Sequence, residues 1–112
     1  MAEPKDRFEA HRADPRYLGD CPICARPLLK GPSIDKHHFL PKSEGGDPED
    51  WAWMHQVCHR KVHAVFNEKT LAAAFRTADT LRAHADIAAF VRWVRRKHPE
   101  FIDHHRSPRR TR

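Results

Sequence analysis

The chain has 112 residues, 39% of them hydrophobic, which is enough for one small domain with a modest core. Its net charge is +6, and residues 67–112 carry eleven basic and five acidic residues. This concentration of positive charge makes nucleic acid an expected partner, although a solubilising surface would explain the charge equally well. No apolar run approaches the roughly 20 residues of a membrane span, and the first residues lack the apolar core of a signal peptide, so we expect a cytoplasmic protein without a membrane partner.

The elements predicted before residue 67 are short. Residues 1–20 form a segment without strong periodicity, and CPICARPL, residues 21–28, is typical of a turn between two extended pieces. SIDKHHFL, residues 33–40, has the length of a strand and is followed by a proline, and WAWM, residues 51–54, is a second strand candidate. HQVCHRKVHAVF has apolar residues at helical spacing and predicts a helix over about residues 56–66.

The last part of the chain is predicted to be helical. Asn67 is a good N-cap for a helix that begins at residue 68, and a second helix is expected over residues 80–85. DIAAFVRWVRRKH, residues 86–98, has apolar residues at i, i+3, i+4 and i+7 and predicts a third helix that ends before Pro99. The final stretch, HHRSPRRTR, is expected to be a disordered basic tail.

Three cysteines and one histidine occur in two pairs with the same spacing. Cys21 and Cys24 form the first pair, and His55 and Cys58 form the second. Together the pairs match the ligand set of one tetrahedral zinc ion and account for every cysteine in the chain. The alternatives are three buried thiols without a metal, or a redox-active CxxC pair. We expect a structural zinc that ties a loop to the start of the 56–66 helix.

Further histidines predict a second, open metal site. His59 and His63 are four residues apart and therefore lie on one face of the predicted helix. Cys58 and His59 diverge by about 100° around that helix, so the helix can face a closed zinc site and an open site at once. His37 could complete the open site, and His38 is then left for proton transfer.

The motifs CPIC, DKHHFLPKSEGG and WMHQVCHRKVH resemble the HNH endonuclease family. The resemblance implies an α+β fold in which a zinc-stapled ββα-metal core spans residues 21–66. An N-terminal segment then covers residues 1–20, and a helical extension with the basic tail covers residues 67–112, where the sequence also looks like small bacterial HNH proteins. The implied activity is metal-dependent hydrolysis of phosphodiester bonds in DNA.

The resemblance also assigns roles to individual residues. It implies that His37 binds the catalytic metal and that His38 is the general base. His59 matches the family's metal-binding histidine after the zinc pair, and His63 matches a further histidine that often contacts metal or phosphate. The zinc pair departs from the family pattern because it begins with His55 instead of cysteine, which is a conservative change for a zinc ligand.

Asp50 is the second departure from the family pattern, since the family usually has asparagine at this position. An ionised carboxylate can accept hydrogen bonds but cannot donate them. Three outcomes therefore remain open: Asp50 orients His38, joins the metal, or weakens the loop.

The roles of His37 and His38 carry a geometric condition. Neighbouring residues in a regular strand point to opposite faces. Both histidines can serve one site only if the strand ends or becomes irregular at this point.

The expected partner is double-stranded DNA, bound with little sequence specificity because no predicted element is an obvious base reader. The sequence carries no signal for an oligomeric state. Trp51 and Trp53 are expected to pack within the protein rather than stack on bases. Six basic residues are candidates for contacts with the DNA backbone, with a solvated surface as the alternative: Lys42, Arg60, Lys61, Arg92, Arg95 and Arg96.

The expected cofactors are a structural Zn²⁺ and one catalytic divalent ion, which could be Mg²⁺, Mn²⁺, Ni²⁺, Co²⁺ or Zn²⁺. Mostly imidazole ligands suit a transition metal, whereas Mg²⁺ prefers oxygen ligands. The rival interpretation is a catalytically silent zinc module that binds nucleic acid or a protein partner. Such a module would need the cysteines but not His37, His38 and His59.

Overall fold

A computed structural model describes residues 7–103 of the chain. In this range the chain forms two antiparallel two-stranded sheets and five α-helices, which confirms the expected α+β class. The predicted basic tail, residues 104–112, lies outside the described residues. No helix in the described range is long and apolar enough to cross a membrane.

The first sheet presents the CPIC turn. Helix α1 (Glu9–Arg12) precedes strand β1 (Tyr17–Asp20), which pairs with strand β2 (Pro27–Leu29). The connection between the strands contains Cys21 and Cys24, as the sequence predicted.

The second sheet pairs strand β3 (Ile34–His37) with strand β4 (Ala52–His55). The prediction of a strand over residues 33–40 was wrong at its end, since β3 stops at His37. Beyond it the chain folds back on itself, and the amide of Gly46 donates to the carbonyl of Pro41 at 3.0 Å. A Cβ atom on Gly46 would clash with the carbonyl of Leu40, so this return of the loop requires glycine.

The helices begin close to the positions that the sequence predicted. The Asn67 side chain accepts a hydrogen bond from the amide of Thr70 at 2.8 Å, so the predicted N-cap is confirmed. The four remaining helices are α2 (Gln56–Val65), α3 (Glu68–Ala74), α4 (Ala78–Ala83) and α5 (Ala85–Val94).

Helix α5 ends at Val94, four residues before the predicted end. The amide of Arg96 bonds to the carbonyl of Trp93 at 3.3 Å, and the amide of Lys97 bonds to the carbonyl of Val94 at 2.9 Å. These i to i−3 bonds tighten the chain into a turn and end the α-helical ladder before Pro99 is reached.

One hydrophobic core joins the HNH-like segment to the helices that follow it. Met54, Val62, Leu71 and Ile87 are all fully buried in this core. It therefore continues across residue 67, and the division into 1–20, 21–66 and 67–112 remains a prediction.

Candidate functional site

Four predicted zinc ligands meet in the core, beside the first sheet. Cys21 and Cys24 come from the β1–β2 connection, His55 ends β4, and Cys58 lies in the first turn of α2. All four side chains are buried, and their ligand atoms lie within 4.8 Å of one another. Three sulfur atoms and one imidazole nitrogen at such separations fit a closed tetrahedral zinc site.

His55 is oriented toward the cluster by a backbone carbonyl. Its Nε2–H donates to the carbonyl of Pro27 at 2.9 Å, which turns Nδ1 toward the Cys24 sulfur at 3.4 Å. Burial lowers the pKa of His55, but hydrogen bonds to Cys21 and Cys24 outweigh that effect and raise the pKa to about 9. Hydrogen bonds from Cys21 and Cys58 lower the pKa of the Cys24 thiol well below its ordinary value. Cys24 is therefore the member of the cluster that favours the thiolate, the form that binds zinc, whereas hydrogen bonds to Cys21 and Cys24 raise the pKa of the Cys58 thiol.

Arg26 supplies a buried positive charge beside the cluster. Its guanidinium is fully buried, and its Nε–H donates to the Cys24 sulfur at 3.2 Å. A second guanidinium N–H donates to the carbonyl of His98 at 2.7 Å. Zinc with three thiolates and a neutral imidazole carries one net negative charge, and a buried cation requires such an anion close by. Arg26 therefore fits an ionised, zinc-loaded cluster. No motif in the sequence pointed to this residue, although it lies only two positions after the CxxC pair.

Three histidines form a second cluster on another side of α2. His37 ends β3, and His59 and His63 lie one helical turn apart on α2. Their ligand nitrogens lie within 4.8 Å of one another. The cluster is more exposed than the cysteine cluster, because His59 is half-buried and His63 is exposed.

His37 has the environment of a metal ligand rather than of a packed core residue. Its ring is fully buried, and neither ring nitrogen has a hydrogen-bond partner among the described residues. Burial, followed by the positive potential of His59 and His63, lowers the pKa of His37 to about 3. The ring is therefore neutral near pH 7 and carries a free lone pair. A divalent ion would give this buried nitrogen the partner that it lacks.

Asp35 orients one of the other two histidines. It lies on the same face of β3 as His37, and its Oδ2 is 3.2 Å from Nδ1 of His59. When His59 is neutral, Nδ1–H donates to this carboxylate and leaves Nε2 as the ligand nitrogen. No motif in the sequence pointed to Asp35 as a member of the site, although strand alternation places residues 35 and 37 on one face.

His38 follows the last residue of β3, so the geometric condition on the two histidines is met. Its Nε2–H donates to the carbonyl of Pro48 at 3.0 Å, which leaves Nδ1 as a proton acceptor in the neutral ring. His38 lines a cleft of about 370 Å³ together with His59 and His63. Basic groups from Lys36 and Lys42 line the same cleft.

Comparisons with known proteins match the part of the chain that carries these residues. The family model "HNH endonuclease" matches residues 21–64, the segment that holds both ligand clusters. The chain is also similar to an uncharacterized protein of Bacillus subtilis (strain 168), YisB. The two are 33% identical over 85 residues, which cover 76% of this chain and 82% of YisB. The chain belongs to the HNH endonuclease family. No solved structure is significantly similar to it.

Membership of the HNH family indicates a nuclease or nucleic-acid-binding function and a metal-binding domain. The cleft of this HNH domain is not built from the matched segment alone. Glu68, at the start of α3, lines it, and its carboxylate accepts a hydrogen bond from the hydroxyl of Ser43. The first residue of α3 therefore contributes to the lining of the HNH cleft.

Asp50, at the position of the HNH asparagine, makes none of the expected contacts. Its side chain is exposed and has no hydrogen bond to another described residue. The carbonyl of Pro48, rather than the side chain of residue 50, accepts the bond from His38. Two of the three open outcomes, orientation of His38 and metal binding, are therefore not supported by any contact of the Asp50 side chain with the described residues.

The six basic residues proposed for the DNA backbone do not form one surface. Lys42 lines the HNH cleft, whereas Arg60 and Lys61 line a separate cleft of about 220 Å³ with Phe90 and Trp93.

The other three basic candidates belong to α5 and the turn after it. Arg95 donates to the carbonyl of Cys24, so it ties the extension to the turn that carries the zinc pair. Arg92 and Arg96 are exposed. Contacts of these residues with DNA remain predictions, and only Lys42 adjoins the histidine cluster.

Proposed function

We propose that the protein is a metal-dependent endonuclease that hydrolyses phosphodiester bonds in DNA. One observation carries the proposal: two members of the three-histidine cluster, His59 and His63, line an open cleft in which His38 has a hydrogen-bonded Nε2 and a free Nδ1. A closed structural site alone would not need a buried histidine without hydrogen-bond partners or an open cleft beside it.

The chain's residues divide the work of hydrolysis. Nδ1 of His38 accepts a proton from the attacking water, and the Pro48 carbonyl holds the ring in the required tautomer. His37, His59 and His63 would hold one divalent ion in the cleft. When bound, such an ion supplies positive charge for the phosphate and for the departing oxygen. Three imidazoles favour a transition metal, and Glu68 on the cleft wall adds an oxygen group that suits the hydration shell of Mg²⁺ or Mn²⁺.

Binding of the substrate is mainly electrostatic in this proposal. Lys36 and Lys42 line the cleft and supply positive charge for phosphates near the reacting bond. Affinity should therefore fall steeply as the salt concentration rises. The four buried residues of the cysteine cluster would hold zinc for stability rather than for catalysis, since they supply all four ligands of a tetrahedral ion.

The test is nicking of supercoiled plasmid in the presence of Mn²⁺, Mg²⁺ or Ni²⁺. We expect His38→Ala to lower the rate by about 10²–10⁴-fold while the protein still binds the divalent ion, since only the base is removed. His37→Ala should lower both the rate and the affinity for the ion. Equal nicking by His38→Ala and the unmodified protein would exclude His38 as the base. Binding of DNA without cleavage in all three metals would favour the silent zinc module.

A further inference from the structure

A partly apolar cup lies on the other side of the second sheet from the buried histidine. Lys36 and Trp53 pair across β3 and β4, so their side chains leave the face opposite to that of Asp35 and His37. Trp53 lines a cup of about 550 Å³, which we call the Trp53 cup. Its other lining residues are Leu18, Lys30, Gly31 and Ile34.

The Trp53 cup is open and carries only positive charge. Leu18 is 42% exposed, and Trp53 is half-buried. Lys30 is the charged member of the lining, and no acidic side chain is among the described residues that line the cup. An exposed apolar surface with one lysine and a tryptophan side chain in its lining suits a flat aromatic ligand that carries negative charge.

Lys36 lines the catalytic cleft and extends toward the aromatic pair of Trp51 and Trp53. Its ammonium lies 4.4 Å from the centre of the Trp51 ring, and the Trp51 and Trp53 rings are 5.0 Å apart in an edge-on arrangement. The same lysine lines the cleft that holds His38 and His59. A chain of alternating phosphates and bases could therefore place a phosphate near Lys36 in the cleft and a neighbouring base in the cup.

We propose that the Trp53 cup binds an unpaired nucleotide of a DNA strand whose neighbouring phosphodiester lies in the catalytic cleft. The inference rests on the proposed function and narrows its substrate class. A base within an intact duplex is already stacked between its neighbours and cannot enter the cup, whereas an unpaired base can stack on tryptophan. The preferred substrates are then single strands, overhangs, nicks and bulges rather than continuous duplex. Stacking of this kind accepts any base, so little sequence preference is expected from the cup.

The experiment measures binding with a protein that does not cleave. The His38→Ala protein is titrated with a fluorescently labelled single-stranded oligothymidine and with a duplex of the same length, and anisotropy gives the two affinities. Leu18→Glu, added to His38→Ala, places a carboxylate at the mouth of the cup without altering the core. Ala83→Glu, at an exposed position of α4, adds the same charge elsewhere and is the matched control.

We expect tighter binding of the single strand, and we expect Leu18→Glu to weaken it by about ten-fold, the size of one lost base stack. The affinity for the duplex should change by less than about two-fold, and Ala83→Glu should leave both affinities unchanged. Trp53→Ala should act like Leu18→Glu, whereas Trp53→Phe, which keeps an aromatic face, should retain most of the affinity. Equal binding of both DNA forms, or an unchanged single-strand affinity in Leu18→Glu, would overturn the proposal.

The two proposals fail in different ways. If plasmid nicking depends on His38 but Leu18→Glu has no effect on single-strand binding, the proposed nuclease activity stands and the proposed binding of a nucleotide in the Trp53 cup is wrong. If single-strand binding depends on Leu18 and Trp53 but the protein cleaves no DNA, the proposed binding in the Trp53 cup stands and the proposed nuclease activity is wrong.

Discussion

The carboxylate of Asp35 lies 3.2 Å from Nδ1 of His59, across the interface between β3 and α2. This single contact links the strand that carries His37 to the helix that carries the other two histidines of the cluster. It also decides which nitrogen of His59 faces a metal, because the nitrogen that donates to the carboxylate cannot be a ligand.

Asp35→Asn is expected to weaken divalent metal binding at the histidine cluster by about 10–100-fold, the usual effect of removing the partner of a ligating histidine. Zinc-loaded protein titrated with Mn²⁺ or Ni²⁺ in a calorimeter gives the affinity directly. Asp50→Asn is the matched control, since it makes the same substitution at an exposed carboxylate without a hydrogen bond. Equal affinities in the two variants would show that Asp35 does not support the cluster.

Asp50→Asn restores the residue that the HNH family usually has, and we expect it to change plasmid nicking by no more than about two-fold. The physical reason is that Pro48 already supplies the acceptor for Nε2–H of His38, at 3.0 Å. Initial nicking rates at a saturating metal concentration measure the effect. A change of ten-fold or more in the nicking rate, in either direction, would show that residue 50 takes part in catalysis.

Arg26→Gln is expected to weaken zinc binding by about ten-fold or more and to lower the free energy of unfolding by roughly 2 kcal/mol. The substitution removes a buried cation and its hydrogen bond to the Cys24 sulfur, so the negative charge of the thiolate is no longer balanced by a neighbouring positive charge. Competition with a chromophoric chelator gives the zinc affinity, and urea denaturation gives the stability. Arg92→Gln, at an exposed position of α5, should change neither quantity. If Arg26→Gln binds zinc with the same affinity as the unmodified protein, Arg26 does not support zinc binding.

Removal of zinc is expected to unfold the protein, because three of the four ligands belong to its hydrophobic core and the site fastens β4 and α2 to the β1–β2 turn. Circular dichroism should show loss of helix on chelation and its return on addition of Zn²⁺ but not of Mg²⁺. Co²⁺ in place of Zn²⁺ should give the absorption of a tetrahedral thiolate site. A metal-free protein with an unchanged melting temperature would contradict a structural zinc.

Short-range spacing explains why much of the candidate site could be predicted from the sequence. The paired spacings of Cys21 with Cys24 and of His55 with Cys58 define two half-sites, and the four-residue interval of His59 and His63 places both on one helical face. The cap at Asn67 follows from the same kind of local rule. Each depends on residues within about one helical turn of one another, where backbone geometry determines the relative positions.

By itself, the sequence determined the family, the two groups of candidate ligands and, from the CPIC turn onward, the order of strands and helices. Only the tertiary structure decided where β3 ends, which carbonyl accepts the hydrogen bond from His38, and which charged side chains contact the candidate ligands. Arg26 meets His98, and Asp35 meets His59, across 72 and 24 residues of chain, respectively. Tertiary packing likewise separated Arg60 from the cleft that Lys42 lines. Such contacts arise when independently formed elements pack together, and no local periodicity encodes the positions of residues so far apart.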